Sequence, residues 1–519
     1  MSTDDIPAPW WKTAVAYQIY PRSFCDTDGD GVGDLEGIRR HLDHLVWLGV
    51  DAIWLSPFYR SPMDDYGYDV ADYCDVDPLY GDLAAFDALV ADAHGRGLRV
   101  VVDWVPNHTS VEHPWFVESR SSRDSAKRDW YLWRDPPEDG SLPNNWVEAL
   151  TFGPAWTLDQ GTGQYYLHNF FASQPDLNWG NREVVEAMFD TLRFWLDRGV
   201  DGFRMDVVNL IGKDPALPDD PDELAGLPHL VVNDRPETHA LLREIRTLID
   251  GYPNDRMAIG EVILLSIEGI LGHLGHPSEP GRAELHLAFN FPPMHAAWTA
   301  GNWRKAIDST ERHYSQVGGW PTWVLSNHDV VRHRTRYGSE SRARAAAVLL
   351  LTLRGTVFLY AGEELGLEDA VVPPDRVRDP GGRDGCRAPV PWDGSPSHGW
   401  APSGDGVAEP WLPWPPDAGT RNVATLAEDE ESTLWLYRTL LSLRRATPVL
   451  QVGDLELLDT PDGVVGYRRG KLVTVLVNFT GESIDVLPGE PWDLLVSSSG
   501  STTFAGRLGP DEAVVIRHP

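Results

Sequence analysis

Several short apolar runs in this 519-residue chain end on side chains able to do acid–base chemistry. Asp103 ends the run VVVD at 100–103, and His108 follows it. Arg204 and Asp206 close GFRMD (202–206), Glu261 closes MAIGE (257–261), and His328 and Asp329 follow TWVL (322–325). Alone, an acid in such a place reads as a helix cap or ion-pair partner. Together, with Arg204 and two histidines, the acids suit acetal cleavage. Retaining glycoside cleavage needs an ionised carboxylate as nucleophile and a protonated carboxyl as acid, roughly 5–5.5 Å apart. Asp206 can be the nucleophile, with Arg204 on the same strand face holding it ionised and oriented. Glu261 can be the acid/base, kept protonated by partly apolar surroundings and neighbouring anions. Asp329 can bind sugar hydroxyls and help distort the ring toward an oxocarbenium-like transition state. His108 and His328 are neutral donors suited to hydroxyls.

Those runs must be held in one frame. Eight of them recur along the chain, at 15–20, 52–55, 100–103, 202–206, 257–261, 285–290, 322–325 and 356–360. Continuous apolar runs of this kind predict strands buried on both faces, as in a parallel sheet. Helical patterns lie between them, for example at 35–48, 83–94, 182–198 and 341–353. Eight β-then-α units predict an α/β fold, a (β/α)₈ TIM barrel, whose reactive groups gather at the C-terminal ends of the strands. The barrel is expected over 1–104 and 180–447. An irregular subdomain after strand 3 is expected at 105–179, because that interval is too long for a plain loop. A second long interval, 362–423, must fold over the barrel mouth, and a shorter Pro/Asp-rich insertion occupies 213–236. Beyond 448, short strand candidates separated by PDG, TGE and GPD predict an antiparallel β-domain over 448–519.

A separate acidic run, DTDGDGVGD, places Asp26, Asp28, Asp30 and Asp34 at positions 1, 3, 5 and 9 of a loop with Gly at position 6. Hard carboxylate oxygens at such spacing can wrap a calcium ion, with the Val32 carbonyl as a further ligand. Position 12 is Gly37 rather than a bidentate Glu, and no incoming helix is evident, so this is not an EF-hand. A metal here would be structural.

Composition narrows the partners. The 78 acidic against 44 basic side chains give a net charge of −34, which repels phosphate backbones and anionic lipid. Nucleic acid and membranes are therefore not expected partners, whereas neutral sugars are indifferent to the field. Twenty-two tryptophans offer flat faces for sugar rings as well as core filling. Cys25, Cys74 and Cys386 form neither a disulfide framework nor a metal pattern. The acidic start lacks the features of a signal peptide, and no run approaches the ~20 apolar residues of a membrane span, so a cytoplasmic enzyme is expected.

DWVPNH (103–108), GFRMDV (202–207), GEV (260–262) and SNHD (326–329) resemble the four ordered motifs of the α-amylase family of glycoside hydrolases. QPDLNW (174–179) resembles the extra motif of its α-glucosidase/oligo-1,6-glucosidase branch. YQIYPRSF (17–24), DDYGYDVADY (64–73) and the region after strand 8 also resemble that branch, so the likeness covers nearly the whole chain. The resemblance implies Asp206 as nucleophile, Glu261 as acid/base and Asp329 as transition-state stabiliser. It places Asp65, Tyr68, His108, Arg204 and His328 around a terminal glucose. Asp65 and Arg421 would close the pocket, which makes the enzyme exo-acting. The acidic loop resembles the calcium loop after strand 1 of oligosaccharide-acting relatives. Phe152 falls near an aromatic position that lines the pocket in relatives, and packing in a core is the alternative. Val207 resembles members acting on α-1,6 bonds. RAPVPW (387–392) departs from the RTPMQW usual in related enzymes, which leaves the aglycone-side contacts open.

The expected function is that of a retaining exo-α-glucosidase. It would release or transfer glucose from the non-reducing end of short α-1,4- or α-1,6-linked oligosaccharides through a glucosyl-Asp206 intermediate. The alternative is a transglucosylase or isomerase on the same scaffold, such as a trehalose synthase or sucrose-acting enzyme. The partner is a small α-glucoside, and the cofactor a structural Ca²⁺.

Overall fold

The structure, a computed structural model, describes residues 8–279, 281–404, 406–486 and 492–517. Eight parallel strands form its central sheet: β1 (Val15–Ile19), β2 (Ala52–Leu55), β3 (Arg99–Trp104), β4 (Gly202–Met205), β5 (Met257–Gly260), β6 (Leu287–Ala288), β7 (Thr322–Val324) and β8 (Thr356–Tyr360). Their order is β6-β5-β4-β3-β2-β1-β8-β7. The Thr322 hydroxyl links the two ends, donating to the Ala288 carbonyl (3.0 Å) and accepting from the Asn290 N–H (2.9 Å). The (β/α)₈ barrel read from the sequence is the observed fold.

Burial on both faces shows in how the strands divide their side chains. Ala16, Trp54, Val101, Met257, Ile259, Val324 and Phe358 share one cluster that fills the barrel. Their neighbours Val15, Tyr17, Ile53, Val100, Val102, Phe203 and Met205 belong to another, packed beneath the outer helices. Successive side chains alternate between faces in a strand. That parity aims Asp103, Arg204, Asp206 and Glu261 inward at the strand ends. Asp103 and Arg204 are also register partners across the β3–β4 ladder.

The helical pattern at 35–48 is broken at His41 into Leu35–Arg40, capped by the Asp34 side chain, and Leu42–Leu48. The other patterns appear as Leu83–Gly95, Arg182–Asp197 and Glu340–Thr352. A small antiparallel sheet (Trp133–Arg134, Gln164–Leu167, Trp156–Asp159) lies within the long interval after β3. The last part of the chain contains a five-stranded antiparallel sheet, ordered Leu455–Leu457, Val464–Arg469, Val473–Asn478, Ala513–Arg517, Asp493–Ser497. No helix among the described residues is long and apolar enough to cross a membrane.

Candidate active site

At the C-terminal end of the barrel one guanidinium organises three carboxylates. Arg204 Nη1 donates to Asp103 Oδ1 (2.7 Å) and Asp206 Oδ1 (2.6 Å), and its Nη2 donates to Glu261 Oε2. The backbone sets the register: Asp206 N–H bonds the Trp104 carbonyl (2.9 Å) and Glu261 N–H the Met205 carbonyl (2.8 Å). The Val207 N–H also reaches Glu261 Oε2 at 3.3 Å. Val207 adopts φ 35°, a left-handed conformation costly for a β-branched residue. It packs with Phe170, Leu210 and Leu230 just beyond Asp206.

Burial and the charges of Glu261 and Asp103 push the Asp206 carboxyl well above the usual carboxylate range, against the pull of Arg204. Burial raises Asp103 to about 6, again against Arg204.

A second layer holds the third acid. Burial would raise Asp329, but His328, Arg383, Arg387 and Arg204 outweigh it and keep this carboxyl below the ordinary range. Arg383 bonds Asp329 (3.2 Å), Asp65 (2.8 Å) and Asp379 (2.7 Å), while Arg387 bonds Asp329 at 3.1 Å. The other oxygen of Asp65 accepts from Gln174 (3.0 Å), within the QPDLNW motif. Tyr68 and His328 lie 2.6 Å apart, the Tyr68 hydroxyl reaches Asp103 at 3.2 Å, and the Gln18 amide meets His328 Nδ1 at 2.7 Å. Burial lowers His108 to about 4 and His328 to about 3, so both rings are neutral at physiological pH, as expected for hydroxyl partners.

Part of this constellation lines one cavity of about 370 Å³, while Arg204 and His328, expected around the glucose, are buried and do not form its lining. Asp206, Glu261, Asp329, Asp65, Tyr68, His108 and Phe152 face it, with Phe170, Leu230, Ile263 and Arg383. Phe152 is 65% exposed at the mouth, which excludes the core alternative. The Glu148 carboxylate ties its loop by accepting from the N–H groups of Leu150 (2.6 Å), Thr151 (2.8 Å) and Gly153 (3.1 Å).

Arg421 is the correction. It bonds Glu340 (2.7 Å) and the Leu365 carbonyl (3.0 Å), outside the cavity, and Arg383 holds Asp65 instead. Arg383 and Arg387 were missed as site residues, although their segment had been expected over the mouth. A cluster of buried acids requires cations, and this segment is arginine-rich; that was the available signal.

In the acidic loop, carboxylate oxygens of Asp26, Asp28 and Asp34 lie within 4.8 Å of one another, a donor set that fits a hard cation. Asp30 accepts from the Val32 N–H (2.8 Å) and stands outside that trio.

Two carboxylates on one arginine at the end of neighbouring barrel strands, with a third acid lining the same cavity, define a glycoside-cleaving barrel. The chain belongs to the α-amylase family: the alpha amylase catalytic domain matches residues 18–453. It is 42% identical to a probable alpha-glucosidase of Rhizobium meliloti, over 91% of this chain and 90% of that one. It is 37% identical to an oligo-1,6-glucosidase of Heyndrickxia coagulans, over 98% and 99%. Among solved structures, the alpha-glucosyl transfer enzyme XgtA superposes with TM-score 0.89 at 40% identity, covering 99% of this chain and 100% of that one. The trehalulose synthase MutB of Pseudomonas mesoacidophila MX-45 superposes with TM-score 0.90 at 35% identity, with the same coverage.

Proposed function

We propose that the chain is a retaining exo-α-glucosidase acting at the non-reducing end of short α-1,4- or α-1,6-linked oligosaccharides. The observation that carries this reading is the Asp65–Arg383–Asp329 bridge bordering the cavity that contains Asp206 and Glu261. A pocket closed by an ion pair admits a chain end and excludes a chain interior. Asp206 attacks the anomeric carbon while Glu261 protonates the departing oxygen, then Glu261 removes a proton from the water that hydrolyses the ester. Asp329, kept ionised by its arginines, holds hydroxyls of the distorted ring. Phe152 offers an exposed aromatic face to the sugar beyond the cleaved bond.

Transfer to a sugar hydroxyl is the second reading, favoured by the likeness to the glucosyl transfer enzyme and the trehalulose synthase. Water and a hydroxyl compete for one glucosyl-Asp206 ester, and Val207 beside it shapes the acceptor side. Time-resolved NMR of the products from maltose, isomaltose, sucrose and trehalose tests both readings. An α-configured first glucose is expected, and disaccharide products mark transfer. A β-configured first product would remove Asp206 from its role.

Arg383→Ala is expected to lower kcat/KM about 10²-fold, because deleting one partner of a buried charge cluster costs about 3 kcal/mol. Arg421→Ala, outside the cavity, is expected to stay within about twofold of the parent. Steady-state kinetics on isomaltose check the pair, and the reverse order would restore Arg421 to the pocket.

The loop at 26–34 is read as a structural calcium site with Asp26, Asp28 and Asp34 as its centre, and Asp30 and the Val32 carbonyl as further ligands. It bonds to the segment that folds over the barrel: Asp26 N–H to the Trp400 carbonyl (2.8 Å), Ala408 N–H to Gly29 (2.8 Å) and Trp411 N–H to Gly31 (2.9 Å). A chelator is then expected to lower Tm and calcium to restore it. The stabilisation is about 2.7 kcal/mol at a hundred times Kd. A Tm indifferent to chelator and calcium would count against the site. A reducing, cytoplasmic setting is supported by the unpaired state of all three cysteines.

A further inference from the structure

On the outside of the barrel, away from the sugar pocket, two histidines and an aspartate meet between the helices Pro236–Asp250 and Ile267–Gly272. One ligand atom each from Asp234, His239 and His273 lie within 4.8 Å of one another. Asp234 Oδ1 is 3.0 Å from His239 Nε2 and 4.0 Å from His273 Nε2. From the geometry we infer that these residues form a binding site for a divalent transition-metal ion of the zinc type, independent of the calcium loop.

The outer hydrogen bonds decide this. His273 Nδ1 lies 2.9 Å from the Gly269 carbonyl, which can only accept, so Nδ1 carries the proton and the neutral ring turns a bare lone pair out at Nε2. That ring is fully buried, and its Nε2 has no hydrogen-bond partner among the described residues. A buried polar atom left without a partner costs free energy, and a cation supplies the partner. His239 differs: Nδ1 donates to Glu284 Oε2 at 2.7 Å and Nε2 to Asp234 Oδ1 at 3.0 Å, so the ring gives up its Nε2 proton when it takes the ion, and Glu284 is anchored through Oε1 by Arg243 at 2.8 Å. A carboxylate or carbonyl behind each imidazole is the arrangement that orients histidine ligands and raises their basicity.

Ligand atoms around a tetrahedral zinc ion, each at about 2.0–2.1 Å, stand roughly 3.3 Å apart. The two Asp234–histidine separations, 3.0 and 4.0 Å, bracket that spacing, and the two histidine nitrogens lie within 4.8 Å of each other. The cation takes the place of the proton shared between His239 Nε2 and Asp234. Two neutral imidazoles with one carboxylate favour zinc or nickel over calcium and magnesium, which prefer all-oxygen shells. Asp234 is exposed and His239 lines an open cleft with His276, Glu268 and His313, so the ion has an entry path. A bound ion would tie the helix following β4 to the one following β5.

Isothermal titration of the full chain, saturated with calcium, against Zn²⁺ tests the site, with Co²⁺ as a spectroscopic probe. One strong Zn²⁺ site is expected, with a visible Co²⁺ spectrum of low-symmetry nitrogen–oxygen ligation and a zinc-dependent rise in Tm. His273→Asn and the exposed Asp234→Asn are each expected to weaken Zn²⁺ by at least about tenfold, the scale of a lost ligand or supporting partner. Since His273→Asn alters a buried ring, circular dichroism accompanies it, and Asp234→Asn carries the test if that variant misfolds. His276→Asn, in the same cleft but outside the trio, is expected to leave affinity unchanged. Absence of a strong site, or a site lost with His276 and kept in both other variants, overturns the inference.

Discussion

Asp206→Asn is expected to lose at least about 10³-fold in kcat/KM on maltose and isomaltose while gaining, or at least holding, thermal stability near neutral pH. The loss follows from removing the atom that forms the glucosyl ester; an amide oxygen is a poor nucleophile and Glu261 has no second role that replaces it. The stability effect follows from the same burial that makes the residue reactive. Burial and the neighbouring charges raise the folded-state Asp206 carboxyl far above the ~3.9 of an exposed aspartate. Between those two values the folded state binds the proton and the unfolded state does not, so stability falls as pH rises through that window. Below ~3.9 both states are protonated and the group costs nothing. Asn is neutral throughout, and Arg204 keeps Asp103 and Glu261 as partners. Melting curves of parent and variant should therefore coincide near pH 4 and separate toward pH 7, with the variant higher. A variant that melts lower at pH 7 and retains a few per cent of activity would contradict both halves of the argument. Catalytic groups held against their preferred ionisation are where activity and stability trade.

How much of this was legible in the sequence depended on whether one residue's environment is set by its own element. The barrel strands were, because a strand buried on both faces must be apolar in nearly every position, and runs such as VVVD and TVFLY have no other reading at that length. The inward aim of Asp103, Arg204, Asp206 and Glu261 followed from parity along those strands. The break at His41 was not legible, because the apolar spacing on either side of it continues in helical phase while the chain turns. The choice between Arg383 and Arg421 was also hidden. Both belong to an interval of Pro, Gly and Asp with no periodicity, where the position of a side chain depends on loop path alone. Phe152 is a similar case: its loop is a turn held by four hydrogen bonds to the Glu148 carboxylate that no pattern announces. The His239–His273 pair is separated by 34 positions and one strand, which no ligand spacing covers.

Glu261→Gln is expected to separate the two chemical steps. With maltose, whose leaving group needs a proton, kcat/KM should fall about 10²–10⁴-fold, the usual reach of general acid catalysis. With an aryl glucoside whose phenolate leaves unaided, kcat/KM should fall far less, because formation of the glucosyl-Asp206 ester no longer needs the acid. Its hydrolysis still lacks a base, so a burst of phenolate followed by slow turnover is expected. The substitution is close to isosteric, and Arg204 and the Val207 N–H still face an amide oxygen in that position. The pH profile supplies an independent check. The Glu261 charge is among the influences that raise Asp206, after burial itself. Neutralising residue 261 should move the acidic limb of kcat/KM for the aryl glucoside to lower pH, since the nucleophile now ionises more easily. An acidic limb that stays in place would mean that the two side chains do not sense each other across the pocket. In that case Asp103, raised to about 6 by burial, would have to account for the limb instead.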